Sequence, residues 1–201
     1  AIRSGALWVA ANVDRTLPSE RGLLPGNGSM VAALRAATDC EPQVAGKPQP
    51  TLLTDALARG RFERPLVVGD RLDTDIAGAT AAGLPSLLVL TGVSTAAEMV
   101  FAVPEERPDY VAPDLRSLHS DIQTVQMGPH PAWKVDAGPG VLTVHWTGDD
   151  TEDTLTVVRA TANAVWKSSL DGRSVGIAAG DDTARKALER WSLLGEPDQL
   201  A

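Results

Sequence analysis

The chain has 201 residues, 43% hydrophobic and 22% charged, the proportions of a soluble globular protein with room for one generous domain or an ordinary domain plus a small one. No apolar run approaches the ~20 residues that span a bilayer, and a net charge of −8 lacks the clustered Lys and Arg that nucleic acid requires, so neither membrane nor nucleic acid is an expected partner. Cys40 is the only cysteine, which excludes an intrachain disulfide or a thiolate zinc cluster and makes the cytoplasm the expected location.

The sequence starts without an initiator Met or a signal-peptide pattern and runs at once into "GALWVAAN", as a chain entered in its middle would. Ala6 to Ala10 reads as a strand, Pro25-Gly26 as a turn, and Gly28 to Ala37 as an Ala/Leu-rich helix. A short strand near Val44 precedes the breaker "GKPQP". Leu52, Leu53, Ala56 and Leu57 then recur at helical spacing as a core stripe. Pro65 leads into the apolar strand Leu66 to Val68, and a helix is expected over Thr74 to Ala82 with Gly83 at its C-terminus. "SLLVLTG" is a buried strand, followed by a helix over Ser94 to Val100, the strand "DYVA" and a last helix from Asp114. Alternating helices and near-continuous apolar strands indicate an α/β fold with a parallel sheet covered on both faces.

Residues 123–140 combine Pro and Gly without helical periodicity and read as a linker that includes one strand near Trp133 to Val135. Beyond it, "VLTVHW" alternates as a strand, Thr151 to Lys167 reads as a helix, "SVGIAA" as a strand and Asp181 to Leu194 as an amphipathic helix. Three of the five tryptophans lie here, as apolar anchors of a small α+β module.

The chemistry concentrates in "LVVGDRLDTDIAG". Ligands of open parallel sheets bind beyond the C-terminal strand ends, and Asp70 is the first polar side chain to emerge from its strand, where a metal-binding carboxylate belongs. Gly69 allows close backbone approach. Asp75, near the start of the next helix, is placed to fix the loop and a metal-bound water, while Asp73 reads as a helix cap. Lys47 lies 23 residues before Asp70, one crossover unit, so the two are expected at the same edge of neighbouring parallel strands. A lysine facing a metal-bound acid suits phosphoryl transfer, because cation and metal together neutralise the transferring phosphate. The plain alternative is a surface lysine beside solvated acids. His119, His130 and His145 are scattered and carry no rival chemistry.

"AANVDRTLPSERGLLPGNGSMVAAL", "GKPQP" and "VVGDRLDTDIAGATAAGLPSLLVLTGVS" together resemble phosphatases of the haloacid-dehalogenase (HAD) superfamily, of the 4-nitrophenylphosphatase-like subclass IIA with a large α/β cap. The resemblance implies part of a HAD-type Rossmannoid sheet, an aspartyl-phosphate mechanism, Mg²⁺ as cofactor and a small phosphorylated metabolite as substrate. It matches Lys47 to the phosphate-stabilising lysine, Asp70 to the metal-ligand aspartate and Asp75 to the second acid of that loop. Asn12 to Asp14 match the turn at the cap–core junction, with Ala11 in place of the usual threonine. Gly26 and Gly28 match a glycine-rich junction loop near the site. The implied organisation is the end of the cap and its junction over 1–27, the second half of the core over 28–122, the linker 123–140 and a C-terminal acetyltransferase-like (GNAT-like) module over 141–201. The tail resembles that of actinobacterial members of the subclass associated with glycerol 3-phosphate hydrolysis.

The family's nucleophile sits in an N-terminal "D-x-D-G-T" loop, and these 201 residues contain no such motif. Asp73-Thr74-Asp75 has the D-x-D spacing but stands away from its strand and lacks the Gly-Thr. The nucleophile is therefore expected in a missing N-terminal half, and this chain alone is expected to be inactive, stable beside that half or as a homo-oligomer. Two alternatives stand beside the phosphatase: a non-catalytic binding or regulatory fragment, and an acyl-CoA-related activity of the tail, whose "RSVGIA" fits a pyrophosphate loop in spacing but reads as a strand. Removal of the tail is expected to leave the site chemically intact.

Overall fold

The structure, a computed structural model, describes residues 1–148, 153–168 and 175–195. After a 3-10 turn at Ile2–Ser4 comes strand β1 (Val9–Ala10), shorter than expected because its parallel partner offers only two residues. The next elements are an antiparallel hairpin, β2 (Thr16–Ser19) and β3 (Gly22–Pro25), where the sequence suggested only a turn. Pro18 and the lack of apolar alternation hid these strands, and Gly22 closes the turn at φ 99°. Helix α1 (Asn27–Thr38) ends where Asp39, left-handed at φ 52°, donates its N–H to the Arg35 carbonyl. Strand β4 (Gln43–Val44) pairs with β1, and helix α2 (Thr51–Ala58) follows. The expected core stripe of α2 is not core: none of its residues is buried and Leu52 is 55% exposed. Helical spacing identifies an apolar face without saying what covers it.

Strands β5 (Val67–Gly69), β6 (Ser86–Val89) and β7 (Tyr110–Ala112) form a parallel sheet in that order. Every residue of the central strand β6 is buried, as a strand covered on both faces requires. Between β5 and β6 a π-helical turn, Leu72–Ile76, runs into α3 (Ala77–Ala81), which stops at Gly83, left-handed at φ 67°. Helix α4 (Ala96–Val100) begins at a capping box, Thr95 with Glu98. The helix expected from Asp114 is replaced by two 3-10 turns, Leu115–His119 and Ile122–Val125, each capped by an aspartate. Leu115, Leu118 and Ile122 stay exposed, so nothing rewards a longer helix.

The strand expected near Trp133 runs over Trp133–Gly138 (β8) and forms a hairpin with β9 (Val141–Trp146). Helix α5 (Thr156–Lys167), strand β10 (Gly176–Ala179), parallel to β9, and helix α6 (Asp182–Arg190) complete the sheet β10-β9-β8 and its cover. The Asp181 carboxylate caps α6 through the Ala184 N–H and also accepts from the Trp146 N–H. Burial works against its charge, but these backbone bonds outweigh it and hold its pKa below the ordinary carboxylate value. Of "RSVGIA", residues 173 and 174 lie outside the described residues, and the rest enters β10.

One hydrophobic core joins the two parts of the chain. Leu72, Ile76, Met99 and Val100 from around the β5-β6-β7 sheet share it with Leu142, Val144, Val158 and Leu188 from around the β8–β10 sheet. The Trp166 indole on α5 donates to the Val100 carbonyl at 3.0 Å, and the Arg107 guanidinium lies 5.3 Å from the Trp166 ring centroid. The tail is thus built into the fold around α4, and removing it strips the cover from Met99 and Val100, both fully buried. A chain ending at Pro129 is expected to lose its cooperative melting transition, since each such side chain contributes about 1.5–3 kcal/mol when buried. Circular dichroism melting checks this, and a sharp transition for residues 1–129 would show that the first part stands alone.

Candidate functional site

Asp70 leaves the C-terminal end of β5, and the next five residues fold back over it. The Asp75 Oδ2 accepts the N–H groups of Asp70 at 3.1 Å and Arg71 at 3.2 Å, while its Oδ1 accepts from the Lys47 Nζ at 2.8 Å. Charge-assisted bonds of this kind are roughly twice as strong as neutral ones, and three of them converge on one carboxylate. The glycine before Asp70 follows from this arrangement: a Cβ on Gly69 would lie 2.2 Å from the Asp75 Cβ.

The loop after β6 closes the other side. The Asp70 Oδ2 accepts the Val93 N–H at 2.9 Å, and the Asp70 carbonyl accepts the Ser94 N–H at 2.9 Å. The Ser94 Oγ accepts the Leu72 N–H at 3.0 Å. A Cβ on Gly92 would collide with the Asp70 carboxylate, so Gly92 and Ser94 are site-forming residues that sequence reasoning missed. The signal was present in "LTGVS", a glycine and a serine directly after a buried strand.

Lys47 does not reach this site from a strand neighbouring β5, as expected: β4 pairs with β1, and β5 pairs with β6. It follows β4 and lies between two acids, Asp75 and Asp14, whose Oδ2 is 3.2 Å from the ammonium. Lys47 and Asp70 share no hydrogen bond or ion pair among the described residues; Asp75 links them. Partial burial works to lower the Lys47 pKa, but the hydrogen bonds and charges of Asp75 and Asp14 outweigh it, and the net shift is upward.

The junction residues hold Asp14. The Asn12 Oδ1 accepts the Asp14 N–H at 3.2 Å, and the Asn12 carbonyl accepts from the Asn27 Nδ2 at 2.6 Å. Gly28 donates to the Asp14 carbonyl at 2.8 Å, and Gly26 donates to the Arg15 carbonyl at 2.9 Å. Added Cβ atoms would lie 2.4 Å from the Asp14 carbonyl oxygen at Gly26 and 2.1 Å from the Val13 carbonyl oxygen at Gly28. "PGNGS" therefore lets the start of α1 touch the backbone that carries Asp14. The Asp14 Oδ1 is buried and has no hydrogen-bond partner among the described residues.

Asp73 is not a cap. Its carboxylate takes a two-pronged pair from Arg71, Nε at 3.0 Å and Nη2 at 2.9 Å, and the Arg71 Nη1 donates to the Thr16 Oγ1 at 3.0 Å. Arg71, largely buried, thus ties hairpin β2–β3 to the Asp70 loop, a role with no motif to announce it. Among the described residues no group of three or more His, Cys, Asp or Glu forms a metal cage. The Asp70 Oδ1 accepts no hydrogen bond among them, whereas Asp75 is fully engaged. One carboxylate at an open loop fits Mg²⁺, which is commonly bound through one or two carboxylates, waters and substrate phosphates. A cavity of about 280 Å³ lined in part by His130, Asp153 and Arg159 shares no residue with this site.

Gly69→Ala is expected to lower stability by about 1–3 kcal/mol through overpacking against Asp75. Gly128→Ala, with open space around it, is expected to change little. Urea unfolding of both variants checks the difference. The raised Lys47 pKa also predicts a pH dependence: its pairs stabilise the fold fully below the ordinary value of 10.5 and fade as pH rises through the raised folded value. Lys47→Met should therefore shrink the loss of stability between pH 8 and pH 11, read from the same urea curves.

Residues 44–118 match the HAD-hydrolase-like family model, and residues 130–193 match the GCN5-related N-acetyltransferase-like domain. The chain is 60% identical over 202 aligned positions to D-glycerol 3-phosphate phosphatase of Mycobacterium tuberculosis, an alignment covering 96% of this chain and 57% of that protein. It is 41% identical over 100 positions to a dihydroxyacetone phosphatase of Corynebacterium glutamicum, covering 49% of this chain and 36% of the relative. The crystal structure of the M. tuberculosis glycerol phosphate phosphatase in complex with magnesium superposes with a TM-score of 0.86 at 60% identity, over 96% of this chain and 57% of that one. The 4-nitrophenylphosphatase of Thermotoga maritima gives a TM-score of 0.53 at 36% identity, over 61% of this chain and 47% of that one. The chain thus spans little more than half the length of the M. tuberculosis relative, and less of the other two. The loop that follows "VVGD", the fold that carries it and these likenesses agree: residues 44–118 are similar to haloacid-dehalogenase-like hydrolases, and residues 130–193 behind them to GCN5-related N-acetyltransferases.

Proposed function

We propose that this chain carries the metal-binding and phosphate-stabilising part of a Mg²⁺-dependent phosphomonoester hydrolase acting on a small phosphorylated metabolite, glycerol 3-phosphate first among the candidates. The observation that carries the reading is Lys47, an ammonium held between Asp14 and Asp75 while Asp75 also sets the backbone of Asp70. In this reading Asp70 holds the ion, and Asp14 and Asp75 keep Lys47 charged and aimed at a phosphate oxygen. When bound, Mg²⁺ supplies positive charge to phosphoryl oxygens. Lys47 adds a preorganised charge that needs no rearrangement as charge develops, which is where such donors act most strongly. The names of the relatives with a phosphatase activity and the magnesium complex of one of them support the same chemistry.

The attacking carboxylate is assigned outside these residues, because the 201 residues hold no "D-x-D-G-T" motif. Asp73 and Asp75 are poor substitutes, one paired with Arg71 and the other with two amides and Lys47. A cytoplasmic address, and assembly with the segment that bears the nucleophile or as a homo-oligomer, belong to the same proposal. In a protein comprising this chain and that segment, Asp70→Asn and Lys47→Met are each expected to lower kcat/KM for phosphate release by about 100-fold or more. The chain alone should release none from glycerol 3-phosphate or 4-nitrophenyl phosphate. Changes under about threefold would return Lys47 to the surface and Asp70 to the solvent.

A further inference from the structure

Helix α4 has five residues, too few to hold itself, and its two ends are fixed by different parts of the chain. At its start, the capping box of Thr95 and Glu98 directly follows Val93 and Ser94, the residues that grip Asp70 and Leu72. At its end, the Val100 carbonyl is among the last four of the helix, which have no partner within it. The Trp166 indole on α5 supplies that partner at 3.0 Å. The ring is held in turn by the Arg107 guanidinium, whose Nε donates to the Ala102 carbonyl at 3.0 Å, just beyond α4. Met99 and Val100 are fully buried in the core shared with α5, so α4 cannot slide without moving both parts.

We propose that Trp166 is a positioning residue for Asp70: by capping α4 from the acetyltransferase-like segment, it sets the Gly92–Thr95 loop whose Val93 N–H orients the Asp70 carboxylate. The functional meaning of this rests on the reading of Asp70 as the metal carboxylate; the mechanical link does not. It assigns to the tail a share in shaping the site, contrary to the sequence-based expectation that its removal leaves the site chemically intact.

Trp166→Phe keeps an aromatic ring and removes the indole N–H. Trp191→Phe is the matched control, because the Trp191 indole makes one comparable bond, to the Thr154 carbonyl at 2.8 Å, away from α4. Amide hydrogen exchange of the chain, followed by NMR, reads the loop directly. Trp166→Phe should speed exchange of Val93 and Leu72 about fivefold relative to other protected amides, and Trp191→Phe should leave that ratio unchanged. If Trp166→Phe does not fold, Arg107→Met, which removes the guanidinium from over the ring, should give the same local pattern. Equal exchange ratios in wild type and both α4-side variants, or the same change in Trp191→Phe, would overturn the proposal. Calorimetric Mg²⁺ titration separates the underlying reading: Asp70→Asn should abolish binding and Trp166→Phe should weaken it several-fold. Exchange altered as expected with Mg²⁺ affinity unchanged in Asp70→Asn would leave the positioning intact and sink the metal role.

Discussion

The Asp75 carboxylate sets the geometry on which the rest of the site depends. An aspartate at a strand end, followed within five residues by two more, is an arrangement that charge repulsion opposes unless each acid finds its own compensation. Asp75 finds it in the amides of Asp70 and Arg71 and in Lys47, and Asp73 in the guanidinium of Arg71. Among the described residues Asp70 takes only a neutral N–H on one oxygen, from Val93. The cation is assigned by proposal to this acid because Asp73 and Asp75 are already satisfied.

That division of labour explains residues that would otherwise look incidental. Gly69 leaves room for Asp75 and Gly92 for Asp70, and Gly26 and Gly28 let α1 meet the backbone around Asp14. Arg71 pairs with Asp73 and donates to Thr16, joining the hairpin to the loop. The site is therefore assembled from three stretches distant in sequence, 12–28, 46–47 and 69–94, and rests on a core that the final third of the chain helps to build.

The sequence revealed the strand-end position of Asp70 because "LVVGD" combines a buried strand with a glycine and an acid. It also put Lys47 in the right vicinity, yet by an argument about adjacent strands that the pairing of β4 with β1 does not follow. The hairpin β2–β3 escaped because a short two-stranded ribbon with a proline leaves no periodic signal. The role of Arg71 escaped because its partner Thr16 is 55 residues away in sequence. The tail was legible as a module but not as part of a common core, since an amphipathic pattern shows which face is apolar and never what it faces. The same limit applies to α2, whose stripe is at most half-buried.

In the proposed site the roles divide three ways: Asp70 for the ion, Lys47 for the phosphate, Asp75 for the geometry of both. A crystal structure of the protein that contains this chain and the proposed nucleophile segment, with Mg²⁺ and orthovanadate as a phosphate mimic, tests it most directly. The expected result is an Asp70 carboxylate oxygen on the ion and the Lys47 Nζ on a vanadate oxygen, with Asp75 still bonded to the amides of Asp70 and Arg71. An ion held by Asp75, or a vanadate out of reach of Lys47, would contradict it.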